Sequence, residues 1–214
     1  MMKQCDTAHG GELFVTDLDG TLLGADSRVS PRSAAILSEL TRRGALITAA
    51  TARTPATVEP LLAETEIHVP AVVMTGAGLW DHAARRFASL RLMDSADAKR
   101  VTELTLRLGL HPIVYRAEPD GSHLTFRFDP KGMPSEQYRF IADRANLELK
   151  RPVVTADPVG EAAEGPTVLI LAMGSDDAVM AAVKALRGNP ALSVSYYTDP
   201  VYPGVAFLEV FGLV

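Results

Sequence analysis

The sequence predicts an α/β fold: a parallel, Rossmann-like sheet in its first part, then an α+β part with mostly antiparallel pairing. Three observations carry that expectation. Up to Gly78, short β-rich runs alternate with helix patterns, and the order β-α-β-α-β with short connections implies parallel strands joined by right-handed crossovers. Beyond Gly78, strand pairs with turn signals are separated by single helices, the mark of antiparallel pairing. Between the first run and the first helix stands Asp17-Leu18-Asp19-Gly20-Thr21, two carboxylates delivered to a glycine turn.

In chain order, Leu13-Phe14-Val15-Thr16 reads as the first strand. Ser30-Pro31 forms an N-cap with proline at the first helical position. Ile36, Leu37 and Leu40 supply that helix with an apolar face, Arg42 and Arg43 suit its negative end, and Gly44 stops it. Ala45–Ala50 is the second strand. Thr54-Pro55 opens a helix to about Glu64, with a distortion expected at Pro60. Val69–Thr75 is the third strand. Leu79–Asp81 and Phe87–Leu92 then suggest a hairpin, and Ser95 caps a helix over Ala96–Leu108.

Pro112–Arg116 and His123–Phe128 alternate like antiparallel strands around Pro119-Asp120-Gly121. Pro134–Asn146 reads as a helix, Thr167–Ala172 as a strand, and Ser175–Leu186 as a helix closed by Gly188. Leu192–Tyr197 and Val205–Phe211 are the last strands. The pattern changes hand near Met93-Asp94, which gives domains at residues 1–92 and 93–214.

Bulk properties narrow the function. The 214 residues are 47% apolar and 22% charged, ordinary for a globular protein able to bury a core. A formal net charge of −5 argues against non-specific binding to nucleic acid or anionic membranes. Cys5 is the single cysteine, so no internal disulfide forms and a reducing compartment fits. Residues 1–12 lack an apolar signal core, and no apolar run approaches the ~18 residues that span a bilayer. A cytoplasmic protein is expected.

The acid pair is the chemical signal. Neighbouring carboxylates repel each other and resist desolvation unless a cation or shared proton relieves them. Parallel sheets bind ligands at the carboxyl ends of their strands. Three such ends are legible: Asp17 and Asp19; Thr51 and Arg53; and Thr75-Gly76-Ala77-Gly78. Acids, a hydroxyl, a guanidinium and a glycine turn suit phosphoryl transfer. One carboxylate can attack phosphorus, and a second can protonate the leaving oxygen and then deprotonate water. Mg²⁺ suits the oxygen ligands, and backbone N–H groups around Gly20 with the Thr51 hydroxyl can hold phosphoryl oxygens. Other readings stand beside this one. Asp17 and Asp19 can be turn formers, Thr51 a helix-entry residue and Arg53 a surface charge. His68, His82, His111 and His123 show no metal-ligand spacing, and Trp80, Tyr196 and Tyr197 are most simply packing residues.

Asp17-Leu18-Asp19-Gly20-Thr21-Leu22-Leu23 resembles motif I of the haloacid dehalogenase (HAD) superfamily. Thr51-Ala52-Arg53 is similar to its second motif, with alanine where Cof-type members usually carry glycine. Thr75–Asp81 resembles the third-strand segment of Cof-type sugar-phosphate phosphatases, where Thr75 stands in place of the usual asparagine. The part after Asp94 is similar to a type-2 cap. The resemblance implies a partial HAD-like Rossmannoid core with a flap hairpin over residues 1–92 and an inserted α+β cap over 93–214. It implies Asp17 as nucleophile and Mg²⁺ ligand, and Asp19 as general acid/base with its backbone carbonyl on the metal. Gly20 and Thr51 would bind phosphate, and Arg53 would stand at the substrate mouth. The substrate would be a small phosphorylated metabolite, sugar phosphates first.

The family also places a lysine and then an acidic Gly-Asp-rich motif after the cap. The sequence reaches Val214 about where the lysine segment is expected, and Lys150 and Lys184 match neither context. A core lacking its C-terminal part is therefore expected. Leu13–Thr16 would then be an apolar edge strand that invites self-association. A phosphatase is the first expectation; a non-catalytic remnant that binds phospholigands or serves as an interaction module is the alternative.

Overall fold

Leu13-Phe14-Val15 continues through Thr16 into Asp17 as β1 (Leu13–Asp17) in the computed structural model, which describes residues 12–213. Cys5 and the polar N-terminal stretch through residue 11 lie outside the described residues. The chain divides into two compact units, one ending at Ser89 and one beginning at Leu90.

The first unit holds a five-stranded sheet in the order β1-β2-β3-β4-β5, with β2 at Leu46–Ala50, β3 at Ala71–Val73, β4 at Gly78–Asp81 and β5 at Arg86–Leu90. β1, β2 and β3 are parallel, as the β-α-β-α-β order requires, and β4 turns back antiparallel on β3. Helix α1 (Pro31–Arg42) begins where expected: Ser30 accepts a hydrogen bond from the Ser33 N–H at 3.0 Å. Helix α2 (Pro55–Leu62) runs through Pro60 and stops two residues short of Glu64. The third strand is shorter than Val69–Thr75. It ends at Val73 because Met74, Thr75 and Gly76 all take positive φ, of 51°, 55° and 91°.

The inward face of α1 differs from the expectation. Ala34, Ser38 and Thr41 are buried, whereas Ile36 is 49% and Leu40 42% exposed. The small side chains let the helix lie close to the sheet, where Ser38 Oγ satisfies both the Ala34 carbonyl and the Glu66 N–H. The core beneath consists of Leu18, Ile47, Ala49, Val58, Leu62, Val73 and Trp80. Trp80 does more than pack: its indole N–H donates to Glu59, whose carboxylate also lies 3.0 Å from His82 Nδ1.

The second unit carries a six-stranded sheet in the order β10-β11-β9-β6-β7-β8. These strands are β6 (His111–Ala117), β7 (Leu124–Phe128), β8 (Lys150–Val154), β9 (Thr167–Gly174), β10 (Leu192–Thr198) and β11 (Ala206–Gly212). Helices α3 (Ser95–Arg107), α4 (Ser135–Ala142), α5 (Pro158–Glu164) and α6 (Asp176–Leu186) connect them. Every strand pair is antiparallel except β7 with β8. Val101, Val114, Ile170, Val179, Val183, Leu208 and Val210 form the centre of its core.

Three local expectations are corrected here. Asp94, not Ser95, caps α3, accepting from the N–H groups of Ala96 and Asp97. α4 stops at Ala142, four residues before Asn146. β8 and α5 have no counterpart in the sequence reading. β8 contains Pro152, which is tolerated because this strand lies at the sheet edge. Among the described residues, no helix is long and apolar enough to cross a membrane.

Candidate active site

β1 and β2 run side by side, with Asp17 opposite Ala50 in register. The parallel pairing therefore sets Asp17 and Thr51 at neighbouring carboxyl ends, where open α/β sheets bind ligands. Leu18, fully buried, anchors the turn that follows, and Leu23 N–H returns to the Leu18 carbonyl at 2.9 Å. Within the turn Asp19 is extended (φ −75°, ψ 120°) and Gly20 takes φ 76°. A side chain at position 20 would be strained by that backbone angle, although the space around it is open. Alternation across the buried Leu18 leaves both Asp17 and Asp19 exposed.

The two acids have different surroundings. Asp17 accepts a long hydrogen bond of 3.4 Å from Thr21 Oγ1. Asp19 is gripped by Arg53, with Nε 2.8 Å from Oδ2 and Nη2 2.6 Å from Oδ1. These charge-assisted bonds hold the Asp19 carboxyl below its ordinary pKa against a smaller opposing effect of partial burial, and they raise that of Arg53. Thr51 is buried, and its Oγ1 accepts the Arg53 N–H at 3.2 Å, which fixes the loop that carries the guanidinium.

The third strand end backs this loop. Thr51 N–H bonds to the Val72 carbonyl at 2.9 Å, Met74 N–H to the Arg53 carbonyl at 3.0 Å, and Thr75 N–H to the Thr51 carbonyl at 3.2 Å. The left-handed turn at Met74-Thr75-Gly76 thus exists to bring two amides onto the Thr51–Arg53 loop. Asparagine tolerates that backbone region, whereas threonine, being β-branched, is strained in it.

Of the residues singled out in the sequence, Asp17, Asp19, Gly20, Thr51 and Arg53 all lie on the first two strand ends or the loops directly after them. The contact that sequence reading missed is the Asp19–Arg53 pair, which joins residues 34 apart; no local spacing signals it. Among the described residues, no group of three or more His, Cys, Asp or Glu side chains is arranged to hold a metal. The turn after β1 offers several oxygen donors, among them the Asp17 carboxylate and the Asp19 backbone carbonyl. Such a set fits Mg²⁺, which commonly takes one or two protein oxygens and completes its shell with water and substrate phosphate.

An acid pair, a buried threonine and a paired arginine thus gather at the carboxyl ends of two parallel strands. Residues 14–142 match the profile of the haloacid dehalogenase-like hydrolases, and the chain belongs to that family. Solved structures share the fold. A haloacid dehalogenase-like hydrolase from Bacteroides thetaiotaomicron superposes with TM-score 0.69 at 18% identity, over 94% of this chain and 71% of that one. A protein from Thermotoga maritima gives 0.69 at 17% identity, over 94% and 68%. A HAD subclass IIB sugar phosphatase gives 0.64 at 16% identity, over 94% and 70%. No curated protein matches the chain.

Proposed function

We propose that the protein is a Mg²⁺-dependent phosphomonoester hydrolase acting on small phosphometabolites, with sugar phosphates as the preferred class. The observation that carries this reading is the pairing of β1 with β2, which sets Asp17 and the buried Thr51 at adjacent strand ends. The sugar phosphatase of the same fold supports the substrate class.

In this reading Asp17 Oδ attacks phosphorus and the ester P–O bond breaks, leaving an aspartyl-phosphate. Asp19 gives a proton to the departing alkoxide. It then takes a proton from the water that attacks the phosphoryl group, and phosphate leaves with Asp17 regenerated. The Gly20 backbone and the Thr51 hydroxyl donate to the equatorial phosphoryl oxygens. Asp17 and the Asp19 carbonyl would hold Mg²⁺, which offsets repulsion between carboxylate and phosphate. Arg53 favours the ionised form of Asp19, which suits the water-activating step; the acid step requires that pair to loosen.

The unit beginning at Leu90 would act as the substrate-selecting cap, and the protein would work in the cytoplasm. The first strand supports a further part of the reading, self-association. Among the described residues β1 pairs only with β2, and Leu13, Phe14 and Val15 are each about half exposed. The enzymatic reading is tested by assaying phosphate release from a phosphomonoester panel with Mg²⁺ for the wild type and Asp17→Asn. Turnover abolished in the variant supports it; equal turnover in both defeats it.

A further inference from the structure

Arg53 holds Asp19 in a way that the proposed chemistry cannot use. Nε lies 2.8 Å from Oδ2 and Nη2 2.6 Å from Oδ1, so both carboxylate oxygens accept from one guanidinium. Oxygens occupied in this way are not free to carry a proton to a leaving alkoxide. The pair therefore has to open when substrate arrives and close again when product leaves.

The Arg53 backbone is a fixed pivot. Its N–H donates to Thr51 Oγ1 at 3.2 Å, and its carbonyl accepts the Met74 N–H at 3.0 Å. Opening is thus left to the side chain, which is long and rich in rotamers. There is room for the exchange. The Asp19 side chain is 57% and that of Arg53 29% exposed, so a ligand can reach the pair from solvent. No atom lies within 4 Å of the point where a side chain at Gly20 would begin. Among the described residues Nη1 of Arg53 has no partner, which leaves a donor for an incoming anion before the grip on Asp19 is released.

Charge selects the trigger. A phosphomonoester is largely a dianion at neutral pH, whereas Asp19 carries a single negative charge. Arginine grips phosphate with two parallel hydrogen bonds as it grips carboxylate. At equal distance the Coulomb attraction to the dianion is about twice as large. A phosphoryl group held by the Thr51 hydroxyl also sits on the loop that carries Arg53. We propose that Arg53 is a phosphate-triggered latch: its guanidinium grips Asp19 in the free protein and transfers to the substrate's phosphoryl dianion, releasing Asp19 for the leaving oxygen. The latch rests on the phosphatase reading and adds regulation to it, since a ligand without a phosphoryl group leaves the acid locked.

The probe is inorganic phosphate, added to the full chain with Mg²⁺. NMR follows the Arg53 Nε–H, assigned with Arg53→Lys, the Asp19 carboxyl carbon and the Gly20 amide. Mg²⁺ alone should leave the Arg53 signal in place. Phosphate should shift it saturably, and the Asp19 and Gly20 signals should move with the same half-saturation. Chloride at equal ionic strength should move none of them. In Arg53→Gln, phosphate should still shift Gly20, while Asp19 loses most of its response. A Gly20 amide that titrates while the Arg53 signal stays fixed would overturn the latch and leave the phosphatase reading intact. A Gly20 amide that does not respond would count against that reading and remove the latch with it. An Arg53 shift produced by Mg²⁺ or chloride, or an undiminished Asp19 response in Arg53→Gln, would also overturn the latch. The wild-type titration decides the matter even if Arg53→Gln does not fold.

Discussion

Arg53 and Asp19 form a two-pronged ion pair, with contacts of 2.8 and 2.6 Å, that ties the loop after the second strand to the turn after the first. The pair holds the Asp19 carboxyl below its ordinary value of 3.8. A depressed acid adds stability above its unfolded pKa and loses it as pH falls through the folded one. Asp19 is 57% exposed, so solvent screening keeps that contribution small. Arg53→Met should raise the Asp19 pKa toward 3.8. Carboxyl ¹³C NMR titration of the variant beside the wild type measures it; an unchanged value would mean that Arg53 does not set the charge of Asp19.

Lys150 is the buried counterpart in the second unit. Its Nζ lies 4.6 Å from the centre of the Tyr115 ring and 5.7 Å from that of Phe126. Burial pulls its pKa from 10.5 down to about 7, and burial also raises that of Glu209, which faces it electrostatically. An amine depressed on folding binds fewer protons in the native state. Its stability contribution is complete above about pH 10.5 and falls as pH drops toward about 7. Glu209 acts in the opposite sense from a lower starting point, losing stability as pH rises above 4.5 toward its raised folded pKa. Lys150→Met removes the cation that faces the buried Glu209 and leaves that carboxyl uncompensated, so the Glu209 pKa should rise further. The substitution should also flatten the slope between about pH 7 and 10.5, read by urea unfolding across that range. A variant with the wild-type slope would show that Lys150 does not carry it.

Thr75 holds φ 55°, and its N–H supports the Thr51 carbonyl. Left-handed strain in a non-glycine residue costs about 1–3 kcal/mol. Thr75→Asn should relieve part of it, raising stability by roughly 1 kcal/mol with the site loop undisturbed. Thermal unfolding checks this; a destabilised variant would mean that the threonine side chain makes a compensating contribution.

The parallel strand order and the strand-end acids were legible because alternating apolar runs and a βα acid motif are local signals. The inward face of α1 was not. Ile36 and Leu40 look like core residues by spacing, yet the sheet selects Ala34, Ser38 and Thr41 for close approach. β8 escaped notice because Pro152 breaks the strand pattern, and only its edge position permits it. Trp80 reads as packing, but its bond to Glu59 depends on α2 and β4 meeting across 21 residues. The Asp19–Arg53 pair is equally non-local. Sequence supplied the residues of the candidate site, and strand register supplied their partners.

Among the described residues β1 is an edge strand, and its apolar side chains are exposed to water. Phe14 is 50% and Val15 53% exposed, and Leu13 stands beside the exposed Leu46. Phe14→Lys should shift self-association toward monomer, because charge on an edge strand blocks strand addition. Sedimentation velocity over a concentration series measures it. Identical association in wild type and variant would clear β1 of that role.

The central claim is that Asp17 becomes phosphorylated during turnover, and trapping that intermediate tests it most directly. The mass-verified 214-residue chain is mixed with an intact sugar phosphate and Mg²⁺, quenched, reduced with borohydride and sequenced by mass spectrometry. An aspartyl-phosphate at Asp17 reduces to homoserine at that position, in the substrate-treated sample alone. Turnover with an unmodified Asp17, or with homoserine at another acid, would contradict the account. A chain that turns over nothing would favour the non-catalytic alternative.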